Sequence, residues 1–167
     1  INAATDNGVF CCTAAGNGGH DDDPVTSRIL APSDAPRVIS CGAVDSENAT
    51  AWFSADGPTA DGRVKPEVLA RGLDTQTVRV TSDTGYTGVN GTSLSTPLVA
   101  GAVACLVQAR PSWSIDDLRG FLFATAGDFR SNGASDPTFV RGYGTIDALA
   151  AALADCDGDA ILSLIHI

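Results

Sequence analysis

A chain of 167 residues, 44% hydrophobic and 18% charged, is of single-domain length and holds enough apolar side chains for a packed core. Twenty acidic residues against ten basic ones give a formal charge of −10, and the arginines are scattered without a basic run or interleaved aromatics, which excludes a nucleic-acid partner. No stretch approaches the roughly 20 apolar residues of a membrane span, because the longest run, after Ser93, is broken by Gly101 and reads as core.

The first predicted element is a strand over 8–14, the short apolar run Val9-Phe10-Cys11-Cys12-Thr13-Ala14. It ends in the glycine-rich break Ala15-Gly16-Asn17-Gly18-Gly19, which delivers one amide side chain to a loop. An asparagine fixed at a strand end can donate to the oxyanion of an acyl-transfer intermediate, or it can simply occupy a left-handed turn. Further strands are predicted over 37–43, 66–70 and 77–81. Those at 8–14 and 37–43 are rich in Val, Ile or Cys, which suits a parallel sheet covered on both faces.

Helices are predicted over 93–109, 114–125 and 145–154. The first has almost no polar residue on any side before Gln108 and Arg110, so it should run through a core with its apolar surface buried all round. Its polar entry, Gly91-Thr92-Ser93-Leu94-Ser95-Thr96-Pro97, puts the Ser93 hydroxyl at a helix N-terminus, where unpaired N–H groups and the positive dipole end favour developing negative charge. Pro97 fits a first turn, where its missing donor has no intrahelical partner anyway. A plain N-cap serine satisfies the same segment. Ser114-Ile115-Asp116-Asp117 caps the second helix, and Asp147 before an alanine-rich run starts the third.

Taken together these segments resemble the subtilisin-like serine peptidases, the subtilases. Gly91 to Gly101 is similar to their nucleophile signature G-T-S-M-(A/S)-x-P-x-V-A-G, and Ala14 to Gly19 to their oxyanion segment. Phe53-Ser54-Ala55-Asp56-Gly57-Pro58, continuing through Asp61-Gly62-Arg63-Val64-Lys65-Pro66-Glu67 to Gly72, resembles a third family block, and Gly142 to Ala148 the closing turn. The resemblance runs from Ile1 to about Leu153. It implies an α/β, subtilisin-like three-layer fold with a mainly parallel central sheet, present as its C-terminal portion over 1–154. It implies Ser93 as nucleophile, Asn17 as oxyanion donor, and Ala15 and Gly16 as one wall of the pocket for a substrate side chain. The substrates would be proteins or peptides and the location extracellular, with which an acidic, lysine-poor composition agrees.

The family takes its aspartate from D-(S/T)-G and its histidine from H-G-T, and neither occurs here. His20 lies in an aspartate-rich loop and His166 at the end, so the expected triad partners lie upstream and the chain alone should not hydrolyse peptides. A sedolisin-like acid peptidase would want an aspartate where Asn17 stands, whereas a catalytically dead subtilase domain serving as a binding module remains the alternative from another class. Leu94 replaces the family's methionine and Arg71 its usual proline.

The chemistry so implied needs no cofactor, and the family leaves room for structural calcium in the full-length domain. Asp155-Cys156-Asp157-Gly158-Asp159 alternates like a calcium loop but lacks the glycine and the bidentate glutamate, so 155–161 reads as the start of an acidic linker or repeat. Leu162 to Ile167 resembles translated sequencing adaptor and is set aside. The five cysteines show no C-x-x-C spacing, which gives no metal site; Cys11, Cys12, Cys41 and Cys105 read as small buried hydrophobes and Cys156 as a candidate for pairing elsewhere.

Overall fold

The uninterrupted run Val38-Ile39-Ser40-Cys41-Gly42-Ala43-Val44 forms a strand, β2 (Ile39–Val44), buried at every residue. In the computed structural model, which describes residues 1–154, it is the middle of three parallel strands. On one side β1 (Cys12–Ala14) pairs with it in the register Cys12 to Ile39 and Ala14 to Cys41. On the other, β3 (Val68–Arg71) pairs Cys41 with Val68 and Ala43 with Ala70. Burial on both faces is what such a continuous run requires.

Alternate β2 residues serve different layers, as the period of two demands. Ile39 and Cys41, with Val68 and Ala70 of β3, pack against Val99, Val103 and Leu106 of α2 (Thr92–Ala109), and Leu118 and Leu122 of α3 (Ile115–Ala124) complete this core. Ser40 and Gly42 face the long connections between the strands instead. There Ser40 hydrogen-bonds to Ser33, and Gly42 lies so close to Leu69, Pro66 and Ser54 that no side chain fits. The α/β class with a parallel sheet expected from the sequence holds, with the second face covered by loops in this part of the fold.

Local signals set the ends of the helices. Ser114 Oγ accepts from the Asp117 N–H while the Asp117 carboxylate accepts from the Ser114 N–H, a reciprocal capping box that starts α3. Asp147 accepts from the Ala150 N–H, so α5 (Ala148–Leu153) begins three residues later than expected. The strand predicted from residue 8 shortens to Cys12–Ala14, because α1 (Asn2–Asp6) precedes it and the Val9 N–H turns back to the Ala4 carbonyl.

Three expectations are corrected, and one element was not expected at all. The strand predicted at 77–81 is not in the parallel sheet: β4 (Thr75–Val78) forms an antiparallel hairpin with β5 (Tyr86–Val89), an element with no clear sequence signal. Another short helix, α4 (Gly127–Asn132), was also unforeseen. The long helix α2 is not buried all round, since Ser95, Val99, Val103 and Leu106 form one buried stripe while Leu98 is 47% and Val107 38% exposed. Cys105 lies on that open side and is exposed, Cys11 and Cys12 are half-buried, and only Cys41 is the buried small hydrophobe expected. Cys156, the acidic stretch from Asp155 and His166 lie outside the described residues.

By length and hydropathy α2 is the only helix among the described residues that meets the requirements of a membrane span. Its buried stripe packs on strand residues of the sheet core, which is the environment of a core helix.

Candidate active site

Three segments distant in sequence meet at the start of α2. Gly91 leads into the helix, and its N–H donates to the Gly72 carbonyl at 2.8 Å. Gly72 cannot carry a side chain, because a Cβ there would collide with Ser95 Oγ, Ala43 Cβ and the Gly91 carbonyl. The helix start is thereby seated on the end of β3.

Thr92 ties the same point to the loop after β1. It is fully buried, and its N–H donates to Asn17 Oδ1 at 2.9 Å. Its hydroxyl lies 3.0 Å from Asn17 Oδ1 and 3.2 Å from the Gly16 carbonyl, and it accepts from the Gly16 N–H at 3.3 Å. With Oδ1 held by Thr92, the Asn17 amide has only its Nδ2 hydrogens left to present. A Cβ on Gly91 would lie 3.6 Å from Asn17 Nδ2 and 3.7 Å from the Ser93 N, so both nitrogens border one small space that glycine leaves open.

Ser93 is the second residue of α2 and is exposed. No hydrogen bond among the described residues engages its hydroxyl or its N–H, and the helix dipole is positive at this end. Of the site residues expected from the sequence, the structure brings Ser93, Asn17, Gly16 and Ala15 together. Ala15 and Gly16 are both buried, and the Ala15 N–H bonds to the Cys41 carbonyl.

Pro97 departs from expectation. The helix begins at Thr92, so Pro97 falls in the second turn and withholds the N–H that would have met the Ser93 carbonyl. Thr96 Oγ1 donates to the Thr92 carbonyl at 2.8 Å in the same turn.

His20 is not brought to Ser93. Its Nδ1 meets the Ser54 carbonyl at 3.2 Å, and it lines a separate cavity of about 530 Å³ with Asp22, Asp128, Asp136 and Arg141. Among the described residues no group of three His, Cys, Asp or Glu side chains comes together to hold a metal ion. Sequence reasoning missed the roles of Thr92 and Gly72. Both stand inside recognised motifs, but only their contacts reveal that they fix the asparagine and the helix.

A family model described as "Subtilase family" matches residues 1–145. The chain belongs to the subtilases. It is 35% identical over 151 residues to Subtilisin BL of Lederbergia lenta, covering 90% of this chain and 49% of that protein. It is 31% identical over 134 residues to Serine protease AprX of Bacillus subtilis (strain 168), covering 69% of this chain and 29% of that one. The subtilase chain therefore spans about half the length, or less, of these relatives. Among solved structures, the prenylagaramide maturation protease PagA superposes with a TM-score of 0.72 at 24% identity, over 93% of this chain and 54% of its own. The self-cleaved protease domain of PatA gives 0.70 at 24%, over 90% and 51%. At that identity the structures speak for the fold alone.

Proposed function

We propose that the whole protein carrying this chain is a serine endopeptidase, with Ser93 Oγ as nucleophile and Asn17 Nδ2 and the Ser93 N–H as oxyanion donors. The observation that carries the reading is the convergence of those two nitrogens on the space left by Gly91. Ser93 Oγ attacks the peptide carbonyl carbon and its proton passes to a histidine supplied from outside the described residues. The two donors hold the tetrahedral oxyanion, and its collapse expels the amine, which takes that proton. Water then attacks the acyl ester, releases the carboxylic acid and restores Ser93. Ala15 and Gly16 form one wall beside the substrate residue whose carbonyl is attacked.

The half-covered α2 supports placing the aspartate and histidine elsewhere in the whole protein. A helix apolar on all sides, with only one stripe covered here, calls for a second neighbour. Substrates are proteins or peptides and the location is extracellular, in keeping with subtilisin relatives and an acidic surface.

The test is labelling of the whole protein with a fluorophosphonate, which bonds covalently to an activated serine. Labelling at Ser93 together with peptide hydrolysis, both lost in Ser93→Ala, is the expected result. A folded whole protein that neither labels nor hydrolyses overturns the proposal and leaves a subtilase scaffold that binds without cutting.

A further inference from the structure

Asparagine precedes glycine at four places, Asn7-Gly8, Asn17-Gly18, Asn90-Gly91 and Asn132-Gly133. This pair has a chemistry of its own, because a glycine nitrogen with no Cβ beside it is free to swing onto the preceding side-chain amide carbon. The nitrogen must give up its proton to attack, so an N–H held by an acceptor is a poor nucleophile. At three of the pairs it is held. The Gly8 N–H donates to the Thr5 carbonyl at 3.1 Å, the Gly91 N–H to the Gly72 carbonyl at 2.8 Å and the Gly133 N–H to the Phe129 carbonyl at 2.7 Å. The Gly18 N–H has no acceptor among the described residues, and Asn17 and Gly18 are both exposed at a bend in the chain.

The fold does not ask for glycine at this position. Gly18 has no positive φ, and a Cβ on it would meet Arg28 carbons at 3.5 and 3.7 Å, which is ordinary contact. The amide beside it is held in an activating way. The Thr92 N–H and hydroxyl both donate to Asn17 Oδ1, at 2.9 and 3.0 Å. Two donors on a carbonyl oxygen stabilise the tetrahedral adduct formed at its carbon, for the same reason that an oxyanion hole does. Nδ2, the leaving group, borders the space at Gly91, and no acceptor among the described residues retains it.

We infer that Asn17 is a site of spontaneous deamidation that switches off the site it serves. The modification stands on these contacts, while its effect on activity rests on the peptidase reading above. The Gly18 nitrogen loses its proton and bonds to Asn17 Cγ, the Cγ–Nδ2 bond breaks, and ammonia leaves with a proton. Water then opens the five-membered imide at either carbonyl and yields an aspartate or an isoaspartate. The aspartate sets a carboxylate where the amide donor stood, and the isoaspartate reroutes the backbone through the side chain. Both remove the donor, and the added negative charge opposes an oxyanion beside the Ser93 N–H. The contacts that aim Nδ2 at the site are thus the ones that limit its lifetime.

The experiment incubates the whole protein as Ser93→Ala, which cannot digest itself, at mildly alkaline pH and follows all four pairs by peptide mapping with mass spectrometry. Asn17 is expected to convert about 5-fold faster than the other three, the factor that one hydrogen bond on the attacking nitrogen is worth. Gly18→Ala is expected to slow that conversion about 5-fold or more. Conversion at Asn17 no faster than at the other pairs overturns the inference, and so does an unchanged rate in Gly18→Ala. If Gly18→Ala fails to fold, the order of conversion among the four pairs decides. In the protein with Ser93 intact, peptide hydrolysis should fall in proportion to the Asn17 that remains. Conversion of Asn17 with hydrolysis unchanged upholds the modification and overturns the oxyanion role of Asn17 in the proposed function.

Discussion

Thr92→Val removes one buried hydroxyl at nearly constant volume and separates two jobs that meet at Asn17. In the native arrangement the hydroxyl accepts from the Gly16 N–H at 3.3 Å and donates toward Asn17 Oδ1 at 3.0 Å. Valine leaves that buried N–H without its partner, which costs about 1–3 kcal/mol, and forfeits a hydroxyl bond worth about 1 kcal/mol. Because Thr92 has no exposed surface, water cannot easily replace either bond. A loss of about 2–4 kcal/mol in the whole protein corresponds to a fall in Tm of roughly 4–16 °C.

Activity should respond far less, since the Thr92 N–H still holds Asn17 Oδ1 at 2.9 Å and keeps Nδ2 pointing at the site. We expect kcat to fall less than about 10-fold in Thr92→Val, against roughly 100- to 1,000-fold in Asn17→Ala. The latter figure is the one known for loss of this donor in subtilisin itself and is borrowed from that case. The assays are thermal unfolding followed by circular dichroism and initial rates on one peptide p-nitroanilide. A Tm within 1 °C of the unaltered protein would show that the hydroxyl bonds are not structural. Equal kcat losses in the two variants would show that Asn17 acts only as an anchor for the helix.

Three other outcomes follow from the packing. Glu67 is buried with Lys65 Nζ at 2.5 Å and Arg119 NH2 at 3.2 Å, and burial pushes the Glu67 carboxyl up and the Lys65 ammonium down. Glu67→Gln leaves that ammonium uncompensated and should lower the unfolding free energy by about 3–5 kcal/mol, read from the urea midpoint. Burial alone would raise Asp136, but N–H donors from Thr138, Arg141 and Val140 and the Thr138 hydroxyl outweigh it and lower its pKa. Its stabilisation is therefore complete above the ordinary 3.8 and disappears as pH falls through the depressed value, so the Tm gap between the native protein and Asp136→Asn should close on acidification below 3.8. Leu94→Met places an oxidisable sulfur beside Ser93, and hydrogen peroxide should inactivate that variant faster than the native protein. Equal inactivation rates would refute this.

Features fixed by local chemistry were legible in the sequence. The β2 run could only be a doubly buried strand, and Ser114 with Asp117 carried its own start signal. Asn17 and Ser93 stood out as a glycine-rich strand end and a polar helix entry, but those segments alone also fit a turn asparagine and an N-cap serine, and it was the resemblance that suggested their roles. Elements held by partners far along the chain were not. The β4–β5 hairpin has mixed polar residues and depends on contacts such as the Asp74 N–H to Asn90 Oδ1 at 2.8 Å, across a separation no pattern reports.

The misjudged burial of α2 follows from what hydropathy measures. A helix sequence reflects the average environment on all its sides, not how much of that environment a given stretch of chain provides. Val99, Val103 and Leu106 meet strand residues of the core, and their burial is accounted for here. Leu98, Cys105 and Val107 are equally apolar and face outward. Such a face is more apolar than an exposed surface requires, and β1 is an end strand of the sheet with one edge unpaired among the described residues. Ser93 stands at the head of this same helix. The disagreement between hydropathy and observed burial therefore marks the side of α2 where these residues leave apolar surface uncovered.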